Sequence, residues 1–350
     1  SIKEELMDQF NVYKDMKART NGEIYIGVVG PVRTGKSTFI KRFMNLMVLP
    51  NIEDENDRNR ANDELPQSSS GKTIMTTEPK FVPNEAVSIK TEEGIELNVR
   101  LIDCVGYMVE GATGHMEGEE ERLVKTPWFD YEIPFTKAAA IGTKKVITEH
   151  STIGVVVTCD GSFGEIAAKQ YEPAEEETIK QLKTLKKPFV VLLNTIHPYS
   201  ESTKQLAAEK EEKYQTKVLP MNLEQMKKED IYEIIKSVLM EFPISSIGFY
   251  VPRWTEMLKK DHPLKMELLQ MARDVITEKT TMRDIYEEQE KEYEYITGQK
   301  LESVAMDSGK VVITVKVGDV YYYEFLSETT GMEIRNEYEF IKIMGELAKK

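Results

Sequence analysis

The chain has 350 residues, of which 40% are hydrophobic and 30% charged, and it carries a formal net charge of −14. That length is long for a single core, so two domains are expected, and the acidic balance argues against nucleic acid as a partner. No apolar run approaches the ~18 residues of a membrane span, nothing at the N-terminus reads as a signal peptide, and Met7 offers a natural start behind Ser1.

In chain order, residues 23–29 form a β-branched run that ends at Gly30 and predicts a buried strand. Beyond Lys36 the apolar Phe39, Ile40, Phe43, Met44 and Met47 recur with a helical period. The polar segment 50–80 has no clean period and reads as a long loop. Strands are expected at 86–90 and 96–103, then a loop-rich stretch over 106–150 with a helix near 136–149. Apolar runs at 153–158 and 188–194 and a short one at 218–221 predict further strands, alternating with helices over 173–186, 201–214 and 223–240. Such alternation predicts an α/β domain with a mostly parallel sheet covered by helices on both faces. From about 243 the pattern changes. Residues 262–296 read as charged amphipathic helices, 311–316 and 320–325 as a hairpin around Gly318-Asp319, and 336–349 as a last helix. The expected organisation is a P-loop domain over 7–242 and a smaller α+β domain over 243–350.

Two cysteines, Cys104 and Cys159, each follow an apolar run and read as reduced thiols at strand ends, which suits a cytosolic compartment. The four histidines lie far apart in sequence and lack metal-ligand spacing, so a zinc site is not expected.

Gly30-Pro31-Val32-Arg33-Thr34-Gly35-Lys36-Ser37 fits the phosphate-binding pattern G-x4-G-K-[ST], set between a strand and a helix as the motif requires. From average residue usage, a chance match in a chain of this length has odds of roughly one in a hundred. The pattern assigns the backbone N–H groups of 33–38, including Arg33, Thr34, Gly35 and Thr38, to a ring around a β-phosphate. Lys36 would bridge the β- and γ-phosphates, and the Ser37 hydroxyl would take one Mg²⁺ position. Asp103 closes an apolar strand and Gly106 follows it, a D-x-x-G spacing that brings a carboxylate to the metal and a backbone amide to the γ-phosphate. Between these two elements, Thr76 and Thr77 are the candidates for a switch threonine that closes over Mg²⁺, with Thr73 a weaker third. Catalysis is thus assigned to Thr76, Thr77 and Asp103, and metal binding to Ser37, Thr77 and Asp103.

Two departures from a GTPase carry weight. After the strand at 189–194, where N-K-x-D would read guanine, the chain has Asn194-Thr195-Ile196-His197, which keeps Asn194 beside the nucleotide but loses the carboxylate that selects guanine. Adenine becomes an equal candidate. Gly106 is followed by Tyr107 where a water-orienting Gln is usual, so slow hydrolysis is expected. Arg33 is a candidate for stabilising charge on the phosphates.

The runs GVVGPVRTGKSTFIKRF (27–43), DELPQ (63–67), GKTIMTTEPKF (71–81) and DCVGY (103–107) closely resemble the stage IV sporulation protein A family. TPW (126–128), IGTKKV (141–146) and EHSTI (149–153) extend the match. The resemblance runs from Met7 to the end of the chain, is strongest over the first 240 residues, and marks residues 1–6 as foreign. It implies a translation-GTPase-like fold that uses ATP and Mg²⁺ in a spore-coat morphogenetic ATPase, whose hydrolysis permits self-assembly into a layer on the forespore surface in the mother-cell cytoplasm. Implied partners are further copies of the protein, coat proteins and a small amphipathic membrane-bound peptide (SpoVM). Family members continue well beyond the position of Lys350, and docking and assembly are associated with that further region, so a shortened form is expected here. The alternatives are a GTPase switch of the translation-factor class, a small-molecule kinase for which no acceptor signature is present, and a scaffold that binds ATP without turnover.

Overall fold

The computed structural model describes residues 11–66, 78–112, 114–287 and 291–349. These form two compact units, one over Asn11–Phe242 and one from Pro243 onward.

The first unit opens with α1 (Val12–Thr20), capped by the Asn11 side chain accepting from the Lys14 N–H at 2.9 Å. After β1 (Glu23–Val29) come α2 (Lys36–Phe43) and α3 (Glu55–Asp63), then β2 (Lys80–Lys90) and β3 (Glu96–Asp103). The small ribbons β4 (Met116–Glu117) with β5 (Glu120–Glu121) and β6 (Leu123–Thr126) with β7 (Phe129–Pro134) precede α4 (Phe135–Lys145). The remainder is β8 (Ile153–Cys159), α5 (Ala168–Thr184), β9 (Phe189–Asn194), α6 (Glu201–Tyr214), β10 (Val218–Met221) and α7 (Lys228–Met240).

The main sheet has the order β10-β9-β8-β1-β3-β2, parallel throughout except for β2, which runs antiparallel to β3 at one edge. Every residue of β8 and β9 is buried, so both faces of the sheet centre are covered, as a parallel sheet requires. One face packs Val29, Ile102, Val156, Val191 and Leu193 against Ile179 and Leu182 of α5 and Ala207 and Tyr214 of α6. From β1 the chain runs through β2 and β3 on one side and then β8 on the other. The crevice beyond the carboxyl ends at such a reversal is where α/β sheets take ligands.

Segment 50–80, expected as one loop, contains α3. That helix starts at Asp54, whose side chain accepts from the Asp57 N–H at 2.9 Å, and it buries Ala61 alone among its residues, so it carries no apolar period to read.

The second unit holds β11 (Ser246–Tyr250), α8 (Pro263–Glu278), β12 (Ile296–Ala305), β13 (Lys310–Val317), α9 (Asp319–Thr330) and α10 (Glu337–Leu347). Its sheet order is β11-β13-β12, with β11 parallel and β12 antiparallel to β13. The hairpin expected around Gly318-Asp319 is therefore corrected: β13 pairs with β12, and residues 320–325 are helical. A tight primed turn needs positive φ, but Gly318 has φ −60 and caps α9 instead.

Candidate nucleotide site

The site is assembled where β1, β3, β8 and β9 end. Gly30 leaves β1 at φ +133, and a Cβ there would lie 2.3 Å from the Val157 carbonyl, so only glycine lets the loop pass β8. The loop continues through Arg33 in the left-handed region (φ 61) and Gly35 (φ +104), which caps α2 with no side-chain cap and no acid in the first turn. An uncapped helix start of this kind presents N–H groups and partial positive charge to an anion. Thr34 is buried, its hydroxyl donating to the Pro31 carbonyl at 3.1 Å. Thr38 lies half-buried one residue into α2 beyond Ser37, and the Arg33 side chain is exposed.

Lys36 is buried, and its ammonium donates to the Pro31 carbonyl at 2.5 Å and the Gly30 carbonyl at 3.4 Å. Burial lowers its pKa from the ordinary lysine value, and Cys104 and Asp103 beside it oppose that shift. The Ser37 hydroxyl donates to Asp103 Oδ2 at 2.8 Å, which brings the first turn of α2 and the end of β3 into contact. Burial raises the Asp103 pKa above the usual carboxylate value, against Lys36, Ser37 and Lys80. A cation there would relieve a carboxylate that its surroundings disfavour.

Gly106, at φ +86, lies against the loop: a Cβ would meet the Gly30 carbonyl oxygen at 2.0 Å and Lys36 Nζ at 2.9 Å. The next residue fixes this approach, because the Val32 N–H donates to the Tyr107 carbonyl at 3.0 Å. The Tyr107 side chain packs with Val105 and Met108 against a cluster containing Val109, Ile166, Tyr171 and Ala174. Burial, with Glu177 nearby, raises its phenol pKa well above normal, so the ring belongs to the α5 side of the site. Cys104 is a buried thiol whose pKa is pushed up to about 11, chiefly by burial, and it donates to the Val28 carbonyl at 3.4 Å.

Asn194, the last residue of β9, uses both ends of its amide within the protein. Nδ2 donates to the Thr34 carbonyl at 3.0 Å, and Oδ1 accepts from the Leu223 N–H at 3.2 Å. A Cβ on Gly35 would sit 2.5 Å from that Nδ2, so the Asn194 amide occupies the space that a side chain at 35 would need. The roles of Val32 and Leu223 rest on backbone N–H groups, which no residue pattern displays. Thr73, Thr76 and Thr77 lie outside the described residues.

Residues 7–243 match the family model of the stage IV sporulation protein A ATPase domain, and residues 244–350 match that of its middle domain. The chain belongs to the stage IV sporulation protein A family. Stage IV sporulation protein A of Clostridioides difficile (strain 630) is 47% identical over 341 residues, covering 97% of this chain and 70% of that protein. The Bacillus anthracis protein of the same name is 45% identical over 344 residues, and that of Bacillus subtilis (strain 168) 44% over 344, each covering 98% of this chain and 70% of the relative. The Gly30 loop, Asp103 and Asn194 thus lie in the ATPase domain of a sporulation protein, and the activity of this chain is that of an ATPase. Among the described residues no helix is long and apolar enough to cross a membrane.

Proposed function

We propose that this chain binds Mg-ATP on the loop at 30–37, hydrolyses it slowly, and uses that hydrolysis to drive a conformational change for self-assembly of the basement layer of the bacterial spore coat. The observation that carries the nucleotide chemistry is the 2.8 Å contact of Ser37 with Asp103 beside a buried Lys36 held on the loop's own carbonyls. Lys36 and the N–H groups of the loop and first turn of α2 would receive the phosphates, and the Gly106 amide would meet the terminal one. Ser37 and Asp103 would hold Mg²⁺, with Thr77 closing over it. A hydroxyl and one carboxylate suit a hard cation that takes its remaining ligands from phosphates and water. Among the described residues no group of three or more His, Cys, Asp and Glu side chains could hold a metal, and this mode of binding needs none. When bound, Mg²⁺ supplies neutralisation of phosphate charge.

Slow turnover follows from Tyr107, whose ring packs into an apolar cluster in place of a water-orienting amide. Thr76 and Thr77 are then the groups left to act at the γ-phosphate, with the exposed Arg33 of the loop a candidate for stabilising charge on the phosphates. A fold of the translation-GTPase kind is supported by the order of parts: a phosphate loop after β1, D-x-x-G after the neighbouring β3, and an antiparallel edge strand. Choice of ATP is supported by His197 standing where a guanine-reading carboxylate would be. Assembly with further copies, with coat proteins and with the small amphipathic peptide SpoVM, peripheral to the outer forespore membrane from the mother-cell cytoplasm, is supported by family membership.

Isothermal titration tests this reading. ATP and ADP should bind in the presence of Mg²⁺; tight GTP or GDP binding with none for adenine nucleotides would replace it with a GTPase switch.

A further inference from the structure

Beyond the phosphate loop, the carboxyl ends of β8, β9 and β10 share one hydrogen-bond network that the roles above leave unused. At its centre is Asp160, the residue after β8. Its Oδ1 accepts from the Ser162 N–H at 3.0 Å and from the Ser162 hydroxyl, and its Oδ2 accepts from the Thr195 hydroxyl at 2.6 Å. Thr195 is fully buried, and its Oγ1 in turn accepts from the His197 N–H at 3.1 Å. The Ser162 Oγ accepts from the Ile196 N–H at 3.2 Å, and the Thr195 N–H donates to the Met221 carbonyl at 3.0 Å. One carboxylate therefore fixes three successive residues after β9, two of them through backbone N–H groups.

Those residues follow Asn194 directly. Asn194 holds the Thr34 carbonyl at 3.0 Å, and its Nδ2 stands so close to Gly35 that a methyl there would lie 2.5 Å away. The hydrogen bond from Asn194 Nδ2 to the Thr34 carbonyl couples the 194–197 loop to the phosphate loop, and that amide fills the space beside Gly35 where a side chain would otherwise stand. Asp160 makes no contact with the phosphate loop in this chain of bonds. Its action there runs through Thr195 and Asn194.

The geometry points to Asp160 as a positioning residue for ATP, holding the loop after β9 so that Asn194 keeps the Thr34-Gly35 turn in its phosphate-binding form. This rests on the reading of loop 30–37 as the ATP site. Removing the carboxylate releases charge-assisted hydrogen bonds without touching the groups placed at the γ-phosphate. The loss should then fall on binding and spare the chemical step.

The test is Asp160→Ala, Thr195→Val and Thr195→Ser in the whole chain, with Kd for ATP in Mg²⁺, kcat and melting temperature measured for each. Asp160→Ala and Thr195→Val should each weaken ATP binding about tenfold with kcat at saturation within about threefold of the parent, the scale set by one charge-assisted hydrogen bond. Thr195→Ser keeps the hydroxyl and should restore Kd to within about twofold of the parent. The inference is overturned if folded Asp160→Ala binds ATP as the parent does, if kcat falls as far as affinity, or if Thr195→Ser is as weak as Thr195→Val. Should Asp160→Ala not fold, the two Thr195 variants decide alone. Lys36→Ala separates the two readings: if it too leaves ATP binding intact, the ATP site itself is misplaced, whereas loss there with none at Asp160 defeats the positioning role only.

Discussion

Replacing Gly106 by alanine should damage the phosphate cradle and not merely a flexible turn. The added Cβ would stand 2.0 Å from the Gly30 carbonyl oxygen, so one of the two segments must withdraw by about 1 Å to reach a tolerable contact. Gly30 cannot retreat, because its other side lies against the Val157 carbonyl, where a Cβ would be 2.3 Å away. Segment 106–107 is held by the 3.0 Å bond from the Val32 N–H to the Tyr107 carbonyl, and that bond would be the first to stretch. Left-handed φ costs a non-glycine residue about 1–2 kcal/mol and overpacking about 1–3 kcal/mol, together about 2–5 kcal/mol. For a unit of this size that is a fall in melting temperature of roughly 4–20 °C. Gly118, at φ +70 with nothing within 4 Å of where a methyl would stand, is the control, and Gly118→Ala should cost only the φ contribution, about 1–2 kcal/mol. Thermal melts with ATP titrations read both effects; Gly106→Ala should also bind ATP at least about tenfold more weakly, because a 1 Å displacement spoils a positioned site. If Gly106→Ala melts and binds like Gly118→Ala, the close packing of 106 on the phosphate loop has no energetic weight.

Thr76→Ala combined with Thr77→Ala should lower phosphate release far more than ATP affinity, and equal loss of both in a titration and a turnover assay would count against a switch role. Asp103→Asn should abolish the Mg²⁺ dependence of ATP binding, checked by titration with and without chelator. Burial raises the Asp103 pKa and lowers that of Lys36. Metal binding needs the carboxylate and phosphate binding the ammonium, so Mg²⁺-dependent affinity should fall on acidification beginning above the usual carboxylate range, and on the alkaline side beginning below the usual lysine range. In Asp103→Asn the acid fall in ATP binding should shrink to that of the terminal phosphate alone, and a profile identical to the parent's would contradict this. Lys210→Met should destabilise the first unit by about 3–5 kcal/mol in denaturant unfolding, since it strands the fully buried Glu175 carboxylate that Lys210 reaches at 2.6 Å and Tyr214 at 2.5 Å. A change below about 1 kcal/mol would show that the pair is not needed.

The sheet was legible where burial on both faces leaves unbroken apolar runs, as in β8 and β9, and the phosphate loop where glycine is sterically required, at Gly30 and Gly35. Elements held by polar caps were harder to read: α3 has only one buried side chain and starts on an Asp54 cap within a generally acidic segment. Tyrosines and apolar residues over 320–325 imitate a strand, and only the backbone angle at Gly318 reveals a helix start. In the site, Lys36, Ser37 and Asp103 come together as their spacing implies, but the braces do not follow from spacing. Asn194 acts through the Thr34 carbonyl and the Leu223 N–H, and Asp160 through Ser162 and Thr195, contacts between loops far apart in sequence.

Everything proposed for this chain depends on ATP being cleaved at the Lys36 loop with Mg²⁺ held by Ser37 and Asp103. The decisive assay is phosphate release from ATP, followed with Mg²⁺ and with chelator for the parent chain and Lys36→Ala. Slow, Mg²⁺-dependent release by the parent and none by Lys36→Ala is expected; release that survives either Lys36→Ala or removal of Mg²⁺ would place the chemistry elsewhere.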